Sequence, residues 1–275
     1  MVLEMLVRAN KAEEHPARMF FLGLMYALLA IVISLMIFRG AADLVSVFFC
    51  VILLMPLYYD TLSREEYKEI HTQSERRLLL EHAQAVTFLI WIFCGMTSAY
   101  ALAYIALPTD YQNDAFLMQT DTITEFNDAL QNDVSGAAVS SSVFSSIIQN
   151  NLKVFFISLA LGFLSGSGVL LIITWNASII GVALGRYILE QSTTGSLAAP
   201  ILGFLRYAIH GVPEIIAYFI AGIAGGLLSL AVIHHSEKHT DINDLLTDTT
   251  TLIAIGAAIL VIAGIIEVYV IPMIV

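Results

Sequence analysis

Residues 19–38 read MFFLGLMYALLAIVISLMIF, twenty consecutive positions without a charged side chain. At 1.5 Å of rise per residue, a helix of that length covers about 30 Å, the thickness of a bilayer's hydrocarbon core. No water is present there to pair backbone N–H and C=O groups, so a run of this kind is satisfied as a helix. Five more apolar stretches follow, at 41–59, 86–107, 152–173, 211–233 and 252–272. Between Asn176 and Tyr207 the pattern breaks: 177–189 is apolar but short, 191–196 is polar, and 197–205 is apolar again. That region reads as one irregular span or as a pair of half-helices dipping in and out. The expected fold is all-α, a polytopic helical membrane protein of about seven crossings, or six plus a re-entrant half-helix pair.

Composition agrees. Of 275 residues, 58% are hydrophobic and 13% charged, against roughly a quarter charged in soluble domains, and the mean hydropathy is +0.82. A soluble enzyme and a disordered scaffold are excluded as primary readings. The 12 basic and 23 acidic residues leave a net charge of −11, which argues against nucleic acid, because phosphate-backbone binding needs clustered Lys and Arg. Cys50 and Cys94 both fall inside apolar runs and read as small buried hydrophobes. Residues 1–18 lack a short apolar core followed by a small-residue cleavage site, so no cleaved signal peptide is expected.

Basic residues orient the chain. Arg8, Lys11 and Arg18 precede the first span, and Arg64, Lys68, Arg76 and Arg77 lie between the second and third. If the first two spans form a hairpin, both groups share one face, which the Lys/Arg excess marks as cytoplasmic. Segment 108–150 then lies outside; it carries six acids (Asp110, Asp114, Asp121, Glu125, Asp128, Asp133) and no Lys or Arg. Within it Thr122 and Glu125 match a capping box, with Ile123, Phe126 and Leu130 on one helical face, predicting a short amphipathic helix. Ser140–Ser146, with Val139, Val143 and Ile147 interleaved, predicts a second interfacial turn. On the other side, 60–84 reads as a polar helix started by a Ser63–Glu66 capping box and running into the third span. Solvation is the ordinary explanation for its charges, and a docking surface the sharper one. The organisation is an N-terminal hairpin with its polar helix over 1–85, then a transmembrane unit over 86–275 with outer acidic loop 108–150.

Small and polar residues carry the rest. GxxxG spacings at Gly162–Gly166, Gly181–Gly185 and Gly222–Gly226 predict close helix packing, within the chain or between copies. Ser167, mid-run in Ser165-Gly166-Ser167-Gly168, could pair with His210 as a nucleophile and base. Hydroxyls bonded to backbone carbonyls are the commoner use of such serines. An ionisable group at membrane depth is costly and by default a functional candidate. Asn176, Arg206, His210, Glu214 and Glu267 are the costly set. Pro213 suggests a helix beginning near Gly211, with His210 at its N-cap and Glu214 in its first turn, favoured by the dipole. Arg206 is a candidate ion partner for Glu214 or Glu267. The second His of a His-Glu-x-x-His zinc site is absent, and His234, His235 and His239 read as a solvated loop, so no metal or cofactor is expected.

From Asn150 onward the chain resembles the stage II sporulation protein M family. The resemblance rests on Asn150-Asn151 opening a span, Gly181–Gly185 after Asn176, His210-Gly211-Val212-Pro213-Glu214, and Ala263-Gly264-Ile265-Ile266-Glu267 with a late Pro272. It covers roughly 86–275, a five-span unit by the family's pattern, with 19–59 as an added hairpin. It implies that Asn150, Asn176, His210, Gly211, Glu214 and Glu267 are motif positions. It also implies a role like that of family members in spore formers, which anchor cell-wall hydrolases in an engulfment complex. The leading expectation is a non-enzymatic membrane scaffold in the plasma membrane of a prokaryote. Its partners would be the bilayer and other proteins, with a homo-oligomer compatible. The rival expectation is a small-solute or ion transporter or channel using the polar residues of the last three crossings.

Overall fold

A computed structural model describes residues 16–71, 75–132, 137–165, 168–192, 199–233 and 242–270. Among them are eight α-helices and no strand. They are α1 (Pro16–Ile37), α2 (Ala42–His71), α3 (Glu75–Ala106), α4 (Thr109–Asn132), α5 (Ala137–Ser165), α6 (Gly168–Ser192), α7 (Ala199–Ile233) and α8 (Ile242–Ile265). A 3₁₀ turn at Arg39–Ala41 joins α1 to α2, and a π-helical turn, Ile266–Val270, extends α8. Seven helices are long and apolar enough to cross a membrane, all but α4.

The count agrees with the expectation, but two boundaries move. The apolar run 152–173 is not one crossing: α5 ends at Ser165 and α6 starts at Gly168, and Gly168 packs back against Leu161. The interrupted region 176–207 is neither an irregular span nor a re-entrant pair. Its first half completes α6, whose span is Gly168–Gln191, and its last part opens α7. Hydropathy read through the reversal because Ser and Gly scarcely lower an apolar average. α7 also runs unbroken through Pro213, so Glu214 sits well inside a helix, not in its first turn.

Polar segments are corrected in the same way. Segment 60–84 divides between the end of α2 and the start of α3, and Ser63 lies inside α2, not at a helix start. Segment 108–150 is mostly helix. Thr122 is interior to α4, where its hydroxyl donates to Met118 O at 2.8 Å instead of capping. Segment 140–146 belongs to α5 itself.

Glycine decides which helices meet. A Cβ on Gly162 would strike the Gly222 backbone, and one on Gly225 would strike Leu159 O, so α5 and α7 touch backbone to backbone. A Cβ on Gly181 would come within 2.6 Å of Tyr100 Cβ and one on Gly185 within 2.9 Å of Ala101 O, so these glycines seat α6 on α3. The GxxxG contacts seen here are therefore made within the chain; Gly166 and Ser167 lie outside the described residues. The pairings also fix direction. α3 and α6 run parallel, α5 and α7 run parallel to each other, and α8 runs against α5, with Gly256 on Phe155 and Gly264 on Ile148. Arg39 bonds Asp114 on α4 at 2.5 Å and lies 4.5 Å from the centre of the Tyr111 ring. The α1–α2 turn and α4 thus share one end of the bundle, called here the α4 face.

Candidate functional site

The polar residues of the last crossings converge beside α5. Asn151, 5% exposed, donates through Nδ2 to Glu214 Oε1 at 2.5 Å. Tyr218, one turn along α7 from Glu214 and 2% exposed, donates its hydroxyl to Asn151 Oδ1 at 3.2 Å. Bonds run in one direction, phenol to amide oxygen, then amide N–H to carboxylate, and this sequence fixes which way the amide faces. Glu267, on the π-helical turn after α8, is near enough that its charge acts on Glu214 and Tyr218. A π-turn widens a helix and is often found at functional positions. Three elements thus bring two carboxyl groups, an amide and a phenol to one place.

All lie within the membrane-crossing windows. Asn151 is the eighth residue of Phe144–Leu164, Glu214 the fourth of Gly211–Ser229, and Glu267 the fourth from the end of Leu246–Val270. Given the helix directions, the cluster occupies the half of the membrane nearer the α4 face. α7 has 35 residues, more than a bilayer requires, and its first twelve precede the apolar window. Arg206 and His210 stand on that extension, two turns and one turn before Glu214.

Other expected residues fall elsewhere. Asn150 is exposed, so of the Asn150-Asn151 pair only the second member joins the cluster. Asn176, on α6, donates to Ile172 O of its own helix at 2.7 Å. Gly211 is buried, yet a methyl there would meet Ile180 Cδ1 at 3.5 Å, an ordinary contact, so close approach does not require it to be glycine. The side chains of Arg206 and His210, and all of Ser167, His234, His235, His239 and Pro272, lie outside the described residues. Among the described residues no group of three His, Cys, Asp or Glu is placed to hold a metal ion.

A second buried polar set escaped sequence reading. α4 is interrupted at Phe116 (φ −140°, ψ 21°), and a new helical stretch starts beyond it. Asp43, 7% exposed at the start of α2, accepts from Met118 N–H at 3.2 Å and from Leu44 N–H at 2.8 Å. It therefore acts as an N-cap supplied from another helix. Gln119, fully buried, donates to Asp43 O at 3.2 Å and Ser178 Oγ at 3.3 Å. Tyr218 and Asn151 had a possible signal, lying four from Glu214 and next to Asn150. Asp43 and Gln119 had none, because a polar residue at a helix edge is ordinary until its partner is known.

Fold and site together define a seven-span helical membrane protein with a carboxyl cluster inside its bundle. The family model for stage II sporulation protein M matches residues 84–272. The chain belongs to that family. It is also 33% identical over 133 residues to an uncharacterised protein of Methanocaldococcus jannaschii, covering 47% of this chain and 71% of that one. No solved structure matches it.

Proposed function

We propose that this protein is a non-enzymatic ion-coupled transporter or channel, binding a proton or small cation at Asn151, Glu214 and Glu267. The observation that supports this is the placing of two carboxyl groups together at membrane depth. Like charges brought close inside the membrane are costly, and a proton or a cation held near them lowers that cost. Glu214, His210 and Arg206, one turn apart along α7, would mark a route from the α4 face. With the N-terminus cytoplasmic, as the basic residues favour, that face is external and the membrane is a prokaryotic plasma membrane.

A second reading, a scaffold for an envelope complex, is favoured by the family and by α4. That helix carries Asp110, Asp114, Asp121 and Glu125 on a segment outside the apolar windows, suited to contacts with other proteins.

Ion and proton flux in proteoliposomes, wild type beside Glu214→Gln, separates the two. The mutant keeps an oxygen to accept from Asn151, so its size-exclusion profile should match wild type while flux is lost. Wild-type protein that moves none of a panel of common ions would sink the transport reading and leave the scaffold.

A further inference from the structure

The outward face of α5 is unlike that of α1. On α1, beyond Arg18 at its start, the exposed positions are Phe21, Met25, Leu29, Val32, Met36 and Ile37, all apolar, as lipid contact requires. On α5 the face begins with Ser145, Ser146, Gln149, Asn150 and Lys153, all exposed, and becomes apolar only at Phe156, Ile157 and Leu164. Spacings of three and four put Ser146, Gln149, Asn150 and Lys153 in one stripe. The stripe lies inside the window Phe144–Leu164, and Lys153 is its tenth residue, two positions further in than Asn151 and still in the half nearer the α4 face. Gln149 bonds Ser145 Oγ at 3.4 Å, but Asn150 and Lys153 have no hydrogen bond or ion pair with any described residue.

An ammonium inside an apolar span is stable only when paired, hydrated or reached by snorkelling. Two amides one turn from it add further unmet donors and acceptors. We infer that the Ser146–Gln149–Asn150–Lys153 stripe is an intramembrane docking surface for a transmembrane helix of another protein that carries a carboxylate at the depth the Lys153 side chain reaches. Charge decides the occupant. The stripe carries a cation and no acid, so its complement supplies an acid at the same depth. Among its described residues, a second copy of this chain does not. Its exposed described acids are Asp110, Asp121 and Glu125 on α4, and Glu190, which lies at the far end of its span and bonds Arg186 at 2.8 Å. A two-fold pair through α5 would also set two Lys153 side chains at equal depth about one axis. The inference stands apart from ion binding at Glu214, which faces α5 from the other side through Asn151.

The test uses the full chain in lipid vesicles with synthetic Leu/Ala transmembrane peptides that differ at one central residue, Asp, Asn or Lys. Association is read by energy transfer between labels on chain and peptide. The Asp peptide should bind about tenfold more tightly than the Asn peptide, the scale of a single polar contact between membrane helices. Lys153→Met, with an unchanged size-exclusion profile, should erase the preference, and Lys153→Glu should transfer it to the Lys peptide. Equal binding of all three peptides would overturn the proposal, as would a preference that survives Lys153→Met. So would disulfide cross-linking of Asn150→Cys chains to each other in the vesicles, which would show the face occupied by a second copy.

Discussion

Two acids within the bundle, Asp43 and Glu214, stand near the same face and are satisfied in opposite ways. The Asp43 carboxylate accepts two backbone N–H groups, one on its own helix and one where α4 restarts after Phe116. Glu214 meets a side-chain amide and, close by, a second carboxyl group. Backbone donors at a helix start are orphans of the fold, so an acid that fills them belongs to the architecture. An acid close to another acid adds nothing to the helix ends, and like charge raises the cost of ionising both. The difference separates an acid that builds the protein from one suited to a task.

That contrast can be broken in several places. The largest effect is expected from Gly225→Val, because the new side chain meets the α5 backbone, which cannot yield. It should cost about 3 kcal/mol or more and separate Asn151 from Glu214; a thermal midpoint equal to wild type would show that α5 and α7 pack differently. Asp43→Ala comes next, removing a buried cap and leaving the Met118 N–H unpaired, at about 2 kcal/mol. Midpoint shifts in detergent, together with proteolysis of α4, would check that it is this helix that loosens.

Asn151→Leu should cost about 1–3 kcal/mol, since it strands both the Tyr218 hydroxyl and the Glu214 carboxyl group. Asn150→Leu, one residue away and exposed, should leave the midpoint unchanged; equal loss from both would erase the distinction between neighbours. Glu214→Gln sharpens the comparison most. It should melt at or above wild type, since one of two adjacent acids is removed, whereas Asp43→Asn should melt lower. A strongly destabilised Glu214→Gln would mean that Glu214 is a structural ion partner, as Asp43 is a structural cap. The smallest effect is expected from Arg39→Ala. Its bond to Asp114 is exposed, and such pairs contribute little, so its melting curve should overlay that of wild type.

Much of the fold was legible in the chain. A run such as 19–38 admits one solution in a bilayer, and seven crossings followed from counting such runs. Reversals were harder to see. Ser165 and Gly168 end and start helices within a stretch that averages apolar, and Pro213 lies within α7 although it resembles a helix opening. Both misreadings have one cause, that the position of a helix end depends on which neighbours it packs against. Among site residues Glu214 and Glu267 stood out because charge inside an apolar run is costly. Asn151 was hidden behind Asn150, since adjacent residues on a helix point about 100° apart and only packing shows which faces inward.

The sequence by itself determined the medium, the helical class, the number of crossings and the acids that required explanation. Each follows from hydrocarbon's inability to hydrate a peptide group or a charge, which holds at every position regardless of neighbours. Tertiary structure alone decided that glycines pair α5 with α7, that Asp43 caps a helix it does not belong to, and that Glu267 comes near enough to Glu214 for its charge to act on it. Those outcomes depend on distances between residues far apart in the chain, and such distances exist only once the helices have packed.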